Sequence, residues 1–205
     1  MIKVVGPRQH PPNNVPTRTY DGTPVVNTTS RGTWKGLSPF YIGPCPLYED
    51  QGVSLNMENA WQYSKVYAQH VGPDGRPTPA YFEWARDGWS NQRAVRYPMG
   101  RGVKPEFSWW GEEHGQVSYV EARKLIYIPL YVRAVSRTAD FHRLRALYRT
   151  AGSLVLWDFD GWTSGMTFKA KLNDPSRPLG HGHILAALLE RLEKGSEDGG
   201  GPSKV

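Results

Sequence analysis

Three acidic residues, Glu58, Asp158 and Asp160, are the side chains most able to carry chemistry. Two carboxylates beside an aromatic pocket are the usual means of breaking a glycosidic bond through an oxocarbenium-like state. The chain provides aromatic candidates for such a pocket in Trp109, Trp110 and Trp157. Each acid taken alone is more often structural than catalytic, so the hypothesis depends on whether they come together.

The run D-F-D-G-W-T at 158–163 imitates the nucleophile motif of haloacid-dehalogenase-type phosphatases. That motif normally opens a long α/β domain that supplies a later lysine and further acids. Only about 45 residues follow it here. A motif without its partner residues is weak evidence, and we reject phosphatase chemistry as the leading interpretation.

Two further groups of residues are candidate ligand contacts. His181 and His183 lie one residue apart before the last predicted helix, but no third metal ligand is evident nearby, so capping or ligand contact is favoured over metal binding. Arg96, Arg101 and Lys104 belong to a glycine-containing basic loop that could hold phosphate. A solvated loop is an equal alternative, because the pattern matches neither the P-loop nor the dinucleotide fingerprint.

The segment 54–70 is predicted to be an amphipathic helix that positions the first acid. Asn56 is a natural N-cap, and Glu58 in the first turn suits the helix dipole. The stripe of Met57, Ala60, Trp61, Ser64 and Ala68 marks one buried face. Glu58 beside Trp61 is therefore either a satisfied cap residue or a working group.

The other segments predict one mainly α domain with minor β strands over 33–195. Residues 1–32 are expected to form an extended N-terminal arm or short edge strands, and 196–205 a disordered tail. Residues 81–89 fit either a strand or a short helix. Further helices are expected after Ser118 with Glu121 (ended or kinked by Pro129), after Thr138, and from Ile184 to a stop at Gly195.

Composition limits the classes of function. The chain has 205 residues, a formal net charge of +6 and a pI near 9.4, which permits a polyanionic partner. Its single cysteine excludes an internal disulfide framework. No apolar run approaches the roughly 18–20 residues of a membrane span, and the N-terminus lacks the apolar core of a signal peptide. We expect a cytoplasmic protein without membrane partners.

Short motifs occur in the order seen in one known family. They are L-S-P-F-Y at 37–41, N-M-E-N-A-W-Q-Y-S-K at 56–65, M-G-R at 99–101, W-W at 109–110, D-F-D-G-W at 158–162 and L-G-H-G-H at 179–183. In this order and spacing the chain resembles the NADAR (YbiA-like) family over residues 34–194. Two departures are Asn59, where the family has histidine, and R-P-L-G-H-G-H, which replaces an asparagine-rich step.

The resemblance implies a single compact, mainly α-helical YbiA-like domain that acts as an N-glycosidase. Members cleave the bond between a nitrogen base and C1 of a ribose, in ADP-ribosylated guanine of DNA or in a riboflavin-pathway intermediate. The family's helix glutamate falls on Glu58, its tryptophan on Trp109 or Trp110, and its acid on Asp158 or Asp160. No metal or redox cofactor is implied.

The expected reaction is hydrolysis of an N-ribosyl bond in an ADP-ribosylated nucleic acid or a phosphorylated N-riboside. Glu58 would stabilise the cationic ribose or activate water, and Asp158 or Asp160 would assist or orient sugar hydroxyls. Trp109 or Trp110 would stack on the base; Arg96, Arg101 and Lys104 would hold phosphates. Trp61, His181 and His183 are further candidate substrate contacts.

The alternative is a non-catalytic nucleic-acid-binding module that uses the same basic, aromatic surface to stack bases. The position of the acids discriminates between the two classes. Convergence of Glu58, Asp158 and Asp160 in one concave pocket favours the enzyme. Acids scattered beside a continuous basic stripe favour the binding module.

Overall fold

Short strands from distant parts of the chain form three small sheets. The computed structural model describes residues 1–162 and 165–197. The strands are β1 (Ile2–Val5), β2 (Val25–Asn27), β3 (Cys45–Pro46), β4 (Val53–Ser54), β5 (Lys65–Val66), β6 (Phe107–Trp109), β7 (Gln116–Val117) and β8 (Leu154–Trp157).

The sheet that positions the site has the order β1-β8-β2, and both outer strands run parallel to β8. All four residues of β8 are buried, as expected for a parallel strand covered on both faces. Residues 1–32 therefore contribute two strands to the domain, which differs from an extended arm lying outside it. The alternative prediction for this segment, short edge strands, agrees with the structure, because β1 and β2 are the outer strands of the sheet.

Helices make up the larger share of this mixed α/β chain. They are α1 (Met57–Gln62), α2 (Pro79–Ser90), α3 (Gly111–His114), α4 (Tyr119–Ala122), α5 (Ile128–Val135), α6 (Ala139–Ala151), α7 (Phe168–Asn173) and α8 (His181–Glu197), with a π-helical turn at Arg123–Tyr127 and 3₁₀ turns at Lys35–Leu37 and Ala68–His70.

Three predicted helix starts are confirmed by their caps. The Asn56 side chain accepts a hydrogen bond from the backbone N–H of Asn59, and Thr138 caps α6 in the same way. Ser118 and Glu121 form a reciprocal capping box at the start of α4. Each cap satisfies backbone donors that the first helical turn leaves without partners.

The predicted helix over 54–70 is wrong in length, because α1 ends at Gln62. The Ser64 hydroxyl donates to the carbonyl of Trp61, and Lys65 and Val66 then pair with Ser108 and Phe107 of β6. The free energy gained by burying Val66 in a paired strand is larger than that of extending the helix. Consequently Ala68, predicted to be on the buried face, is exposed.

Pro129 does not end its helix. The helical backbone runs from Tyr119 to Val135, and a π-helical turn ends at Tyr127, two residues before the proline. A π-helical turn is a known way of fitting an irregularity into a helix without breaking it. The last helix likewise continues past the predicted stop at Gly195 to Glu197. Most of the predicted disordered tail, 198–205, lies outside the described residues.

The open question at 81–89 is answered by α2, whose buried face packs into an aromatic cluster. This cluster, separate from the main core, contains Tyr63, Tyr81, Trp89 and Trp109. The ring of Tyr63 lies directly over Gly88, where an added Cβ would come within 2.1 Å of it. None of the helices in the described residues is long and apolar enough to cross a membrane.

Candidate active site

A cavity of about 410 Å³ opens at the carboxyl ends of the parallel strands. Its walls come from the segments that follow β2 and β8, from α1, and from the start of α8. In open α/β sheets this edge is where ligands bind, because loops from adjacent strands meet there. Of the predicted site residues, those that line this cavity are Glu58, Trp61, Arg96, Asp158, Asp160 and His181.

Glu58 reaches the cavity from the first turn of α1 and is only 5% exposed. Its Oε1 accepts a hydrogen bond of 2.8 Å from Nε2 of Gln62, one turn further along the helix. Burial raises the pKa of Glu58, and the positive charges of Lys65 and Arg96 partly oppose this rise. A carboxyl whose pKa lies above its ordinary value is suited to exchanging protons near neutral pH.

Lys65 completes a hydrogen-bonded chain with Glu58 and Gln62. Its Nζ donates to Oε1 of Gln62 at 2.7 Å and lies 4.9 Å from the ring centroid of Trp61. Burial lowers the pKa of Lys65 to about 8, although the nearby Glu58 carboxylate opposes this effect. Sequence reasoning did not select Lys65, even though it is the last residue of the motif at 56–65.

Asp158 is held by the backbone around it. Its Oδ2 accepts from the N–H of Gly182 at 2.8 Å, and its Oδ1 accepts from the N–H of Asp160 at 3.2 Å. The side chain is 2% exposed, and an added Cβ on Gly180 would come within 2.3 Å of Oδ2. Asp158 therefore joins the end of β8 to the first turn of α8, and this arrangement favours a structural role for it.

Asp160 is the more accessible of the two aspartates. Its carboxylate pairs with the guanidinium of Arg96 at 2.5 Å, and both side chains are 28% exposed. Burial raises the pKa of Asp160, while the Arg96 charge opposes the rise. A partly accessible carboxylate held by an arginine is well placed to accept hydrogen bonds from a ligand's hydroxyl groups.

His181 lies between Asp158 and the loop after β2. Its Nε2 is 2.9 Å from the carbonyl oxygen of Thr28, and its Nδ1 is 3.3 Å from Oδ2 of Asp158. Because a carbonyl oxygen only accepts, Nε2 must carry a proton in this contact. The imidazole is thus fixed in the cavity wall by the two flanking strand ends.

Trp61, Tyr119 and Tyr127 form one aromatic wall of the cavity. The ring centroid of Trp61 is 5.0 Å from that of Tyr127 and 6.3 Å from that of Tyr119. The two tyrosines were not among the sequence-predicted site residues. They lie eight residues apart on the continuous helix from Tyr119 to Val135. Residues separated by about two helical turns share a face, and this spacing was the available indication.

Trp109 and Trp110, predicted to stack on a base, do not line this cavity. Trp109 is 4% exposed within the aromatic cluster of α2, and the ring of Trp110 packs 5.0 Å from that of Tyr48. The pairing of β6 with β5 and β7 directs Trp109 into that cluster. Trp61, which the sequence places beside Glu58 and which is a further predicted substrate contact, does line the cavity.

Arg101, Lys104 and His183 also lie outside the cavity lining. Arg101 and Lys104 are exposed on a turn-rich loop before β6, as the solvated-loop alternative predicted. His183 is 3% exposed, and its ring packs 5.4 Å from that of Trp162. One residue of helix rotates a side chain by about 100°, so His181 and His183 face different surroundings.

No group of three potential metal ligands occurs among residues 1–162 and 165–197. Comparison of the chain with models of protein families, with curated proteins and with solved structures finds no match. The resemblance of the motifs to the NADAR family therefore stays an expectation.

Proposed function

We propose that the protein is an N-glycosidase that hydrolyses an N-ribosyl bond, with a YbiA-like fold and a cytoplasmic location. The observation that carries the proposal is the convergence of Glu58, Asp158 and Asp160 on one cavity with an aromatic wall. This convergence is the feature that distinguishes the enzyme from a nucleic-acid-binding module whose acids lie apart.

Glu58 is the residue proposed to act on the reacting centre. As the bond between C1 of the ribose and the base nitrogen breaks, its electron pair goes to the base and positive charge develops on the ribose. The Glu58 carboxylate stabilises that charge and takes a proton from the attacking water. Its raised pKa makes it a stronger proton acceptor than an ordinary glutamate.

The other cavity residues bind and orient the substrate. Asp160, held by Arg96, accepts hydrogen bonds from the ribose hydroxyls, and Asp158 keeps the loop after β8 in place. The base stacks on the wall of Trp61 and Tyr127. These assignments give Asp160 rather than Asp158 the direct contact with the sugar.

Phosphate groups on the substrate require cations in the wall. Arg31 lines the cavity and is exposed, so its guanidinium is available to a phosphate. Arg101 and Lys104 are exposed outside the cavity lining. The proposed substrate is accordingly an ADP-ribosylated base of a nucleic acid or a phosphorylated N-riboside.

Incubation of the protein with ADP-ribosylated DNA, followed by detection of released ADP-ribose, tests the proposal. We expect release by the wild type and a loss of about 10²–10⁴-fold in kcat for Glu58→Gln, the contribution typical of a general base. Glu106→Gln, which changes an exposed glutamate outside the cavity lining, is the matched control. Turnover by Glu58→Gln within a few-fold of wild type would contradict the mechanism.

A further inference from the structure

Two large aromatic side chains are exposed at the rim of the cavity that contains Glu58. Tyr97 is 48% exposed and Phe159 is 49% exposed, and both belong to the cavity lining. Among the described residues the exposed aromatic side chains are Tyr20, Tyr41, Tyr97, Tyr119 and Phe159, and three of them line this one cavity. Exposed aromatic surface concentrated at a cavity commonly marks a binding site.

The two rings are held together by one guanidinium. The Cζ atom of Arg96 lies 5.5 Å from the ring centroid of Tyr97 and 5.4 Å from that of Phe159. Asp160 fixes the guanidinium by its ion pair, so the cation stays in place between the rings. Tyr97, Arg96 and Phe159 therefore form a set of flat groups with a defined orientation, which we name the rim platform.

Neither ring position is explained by packing of the domain. Phe159 lies between Asp158, which is bound to the backbone of α8, and Asp160, which is bound to Arg96. The loop is thus already anchored by its two acids, and Phe159 belongs to none of the buried clusters in the described residues. Tyr97 begins a turn-rich stretch and is likewise outside those clusters.

We propose that the rim platform binds a second nucleobase of the substrate, in addition to the base that stacks on the inner wall of Trp61 and Tyr127. A nucleobase suits the platform because every base has a flat π face, and aromatic rings with an arginine between them stack on such faces. The positive Arg96 and the +6 net charge of the chain complement the phosphates that connect the two bases. This proposal rests on the proposed function.

Two sources can supply the second base, and they are separable. It belongs either to the neighbouring nucleotide of a nucleic acid strand or to the adenosine part of ADP-ribose. Binding is measured by calorimetry with two probes, a short single-stranded oligodeoxynucleotide and free ADP-ribose. The probe whose affinity depends on the rim platform identifies the source.

The variants are Tyr97→Ala and Phe159→Ala, with Tyr97→Phe and Phe159→Trp as versions that keep a ring. We expect each alanine variant to bind one of the probes about 5- to 150-fold more weakly, the range that stacking of one base on an aromatic side chain gives. The ring-keeping variants should stay within about twofold of wild type. Tyr20→Ala, which removes a fully exposed tyrosine outside the cavity lining, should change nothing.

Equal affinity of the alanine variants and the wild type for both probes would overturn the proposal, as would a wild type that binds neither probe. Thermal melting of every variant shows whether the domain is intact. The outcome is independent of catalysis, because binding is read without turnover. Weaker binding of the alanine variants together with an inactive wild type would support the rim platform as a base-binding site and would contradict the proposed hydrolysis.

Discussion

Gln62 Nε2 lies 2.8 Å from Oε1 of Glu58, and this contact fixes the orientation of the buried carboxylate. The two residues are four apart on α1, so the helix itself sets their spacing. Because Gln62 also accepts from Nζ of Lys65, the amide connects the buried carboxyl of Glu58 to the half-buried amine of Lys65. The electrostatic attraction between the positive charge of Lys65 and the Glu58 carboxylate is strong, because the surrounding protein screens charges less than water does.

Replacement of Lys65 by methionine is expected to shift the acid limb of the pH–activity profile to higher pH. Lys65 is charged below its pKa of about 8, and its charge favours the ionised form of Glu58. Loss of the charge therefore raises the pKa of Glu58 further, and protonation inactivates the enzyme at a higher pH. The measurement is kcat against pH for wild type and variant.

Lys104→Met is the control for this prediction, because Lys104 is an exposed lysine outside the cavity lining. Its acid limb should coincide with that of the wild type. If Lys65→Met leaves the limb unmoved or shifts it to lower pH, Lys65 does not act on Glu58 through charge.

The two aspartates after β8 should respond differently to mutation. Asp158→Ala removes the acceptor of the buried N–H of Gly182 and of the partly buried N–H of Asp160, which we expect to cost about 2–5 kcal/mol of unfolding free energy. Asp160→Asn removes a partly exposed ion pair worth about 1 kcal/mol or less. Its main expected effect is slower turnover.

Urea unfolding and steady-state kinetics on both variants separate stability from activity. The assignment of Asp158 to structure and Asp160 to the sugar predicts a large loss of stability in the first and a large loss of kcat/KM in the second. The reverse pattern, an unstable Asp160→Asn and a stable but inactive Asp158→Ala, would exchange the two roles.

Local sequence rules predict the starts of three helices. Asn56 and Ser118 are identified as caps and Thr138 as a helix start, because capping depends on residues within three positions of the helix start. Glu58 was placed in the first turn by the same rule. These features do not depend on the rest of the fold, which is why one sequence is enough to identify them.

Contacts between distant residues were outside the reach of those rules. The sheet pairs Ile2–Val5 and Val25–Asn27 with Leu154–Trp157, and no local pattern specifies a parallel partner more than a hundred residues away. The same pairing brings the loop of Asp160 to Arg96. Trp109 was assigned to the site by its residue type, but its strand turns it into another cluster.

His183 gives a pH dependence of stability that is separate from the active site. Burial lowers the pKa of His183 from 6.5 to about 4, and the nearby charge of Lys171 adds to this effect while Asp158 opposes it. A histidine whose pKa is lower in the folded state stabilises the fold above pH 6.5 and loses that contribution as the pH falls towards 4. At about 1.4 kcal/mol per pH unit the loss is about 3 kcal/mol.

His183→Leu removes this titration. The substitution leaves no polar group without its partner at Nε2, because Nε2 of His183 makes no hydrogen bond in the part of the chain described. We expect the unfolding free energy of the variant to fall less than that of wild type between pH 6.5 and 4, by about 3 kcal/mol. His114→Gln, which changes an exposed histidine, should keep the full dependence of the wild type. Parallel curves for His183→Leu and wild type would show that His183 is protonated in the folded protein as readily as in the unfolded chain, and would place its ring in contact with solvent rather than against Trp162.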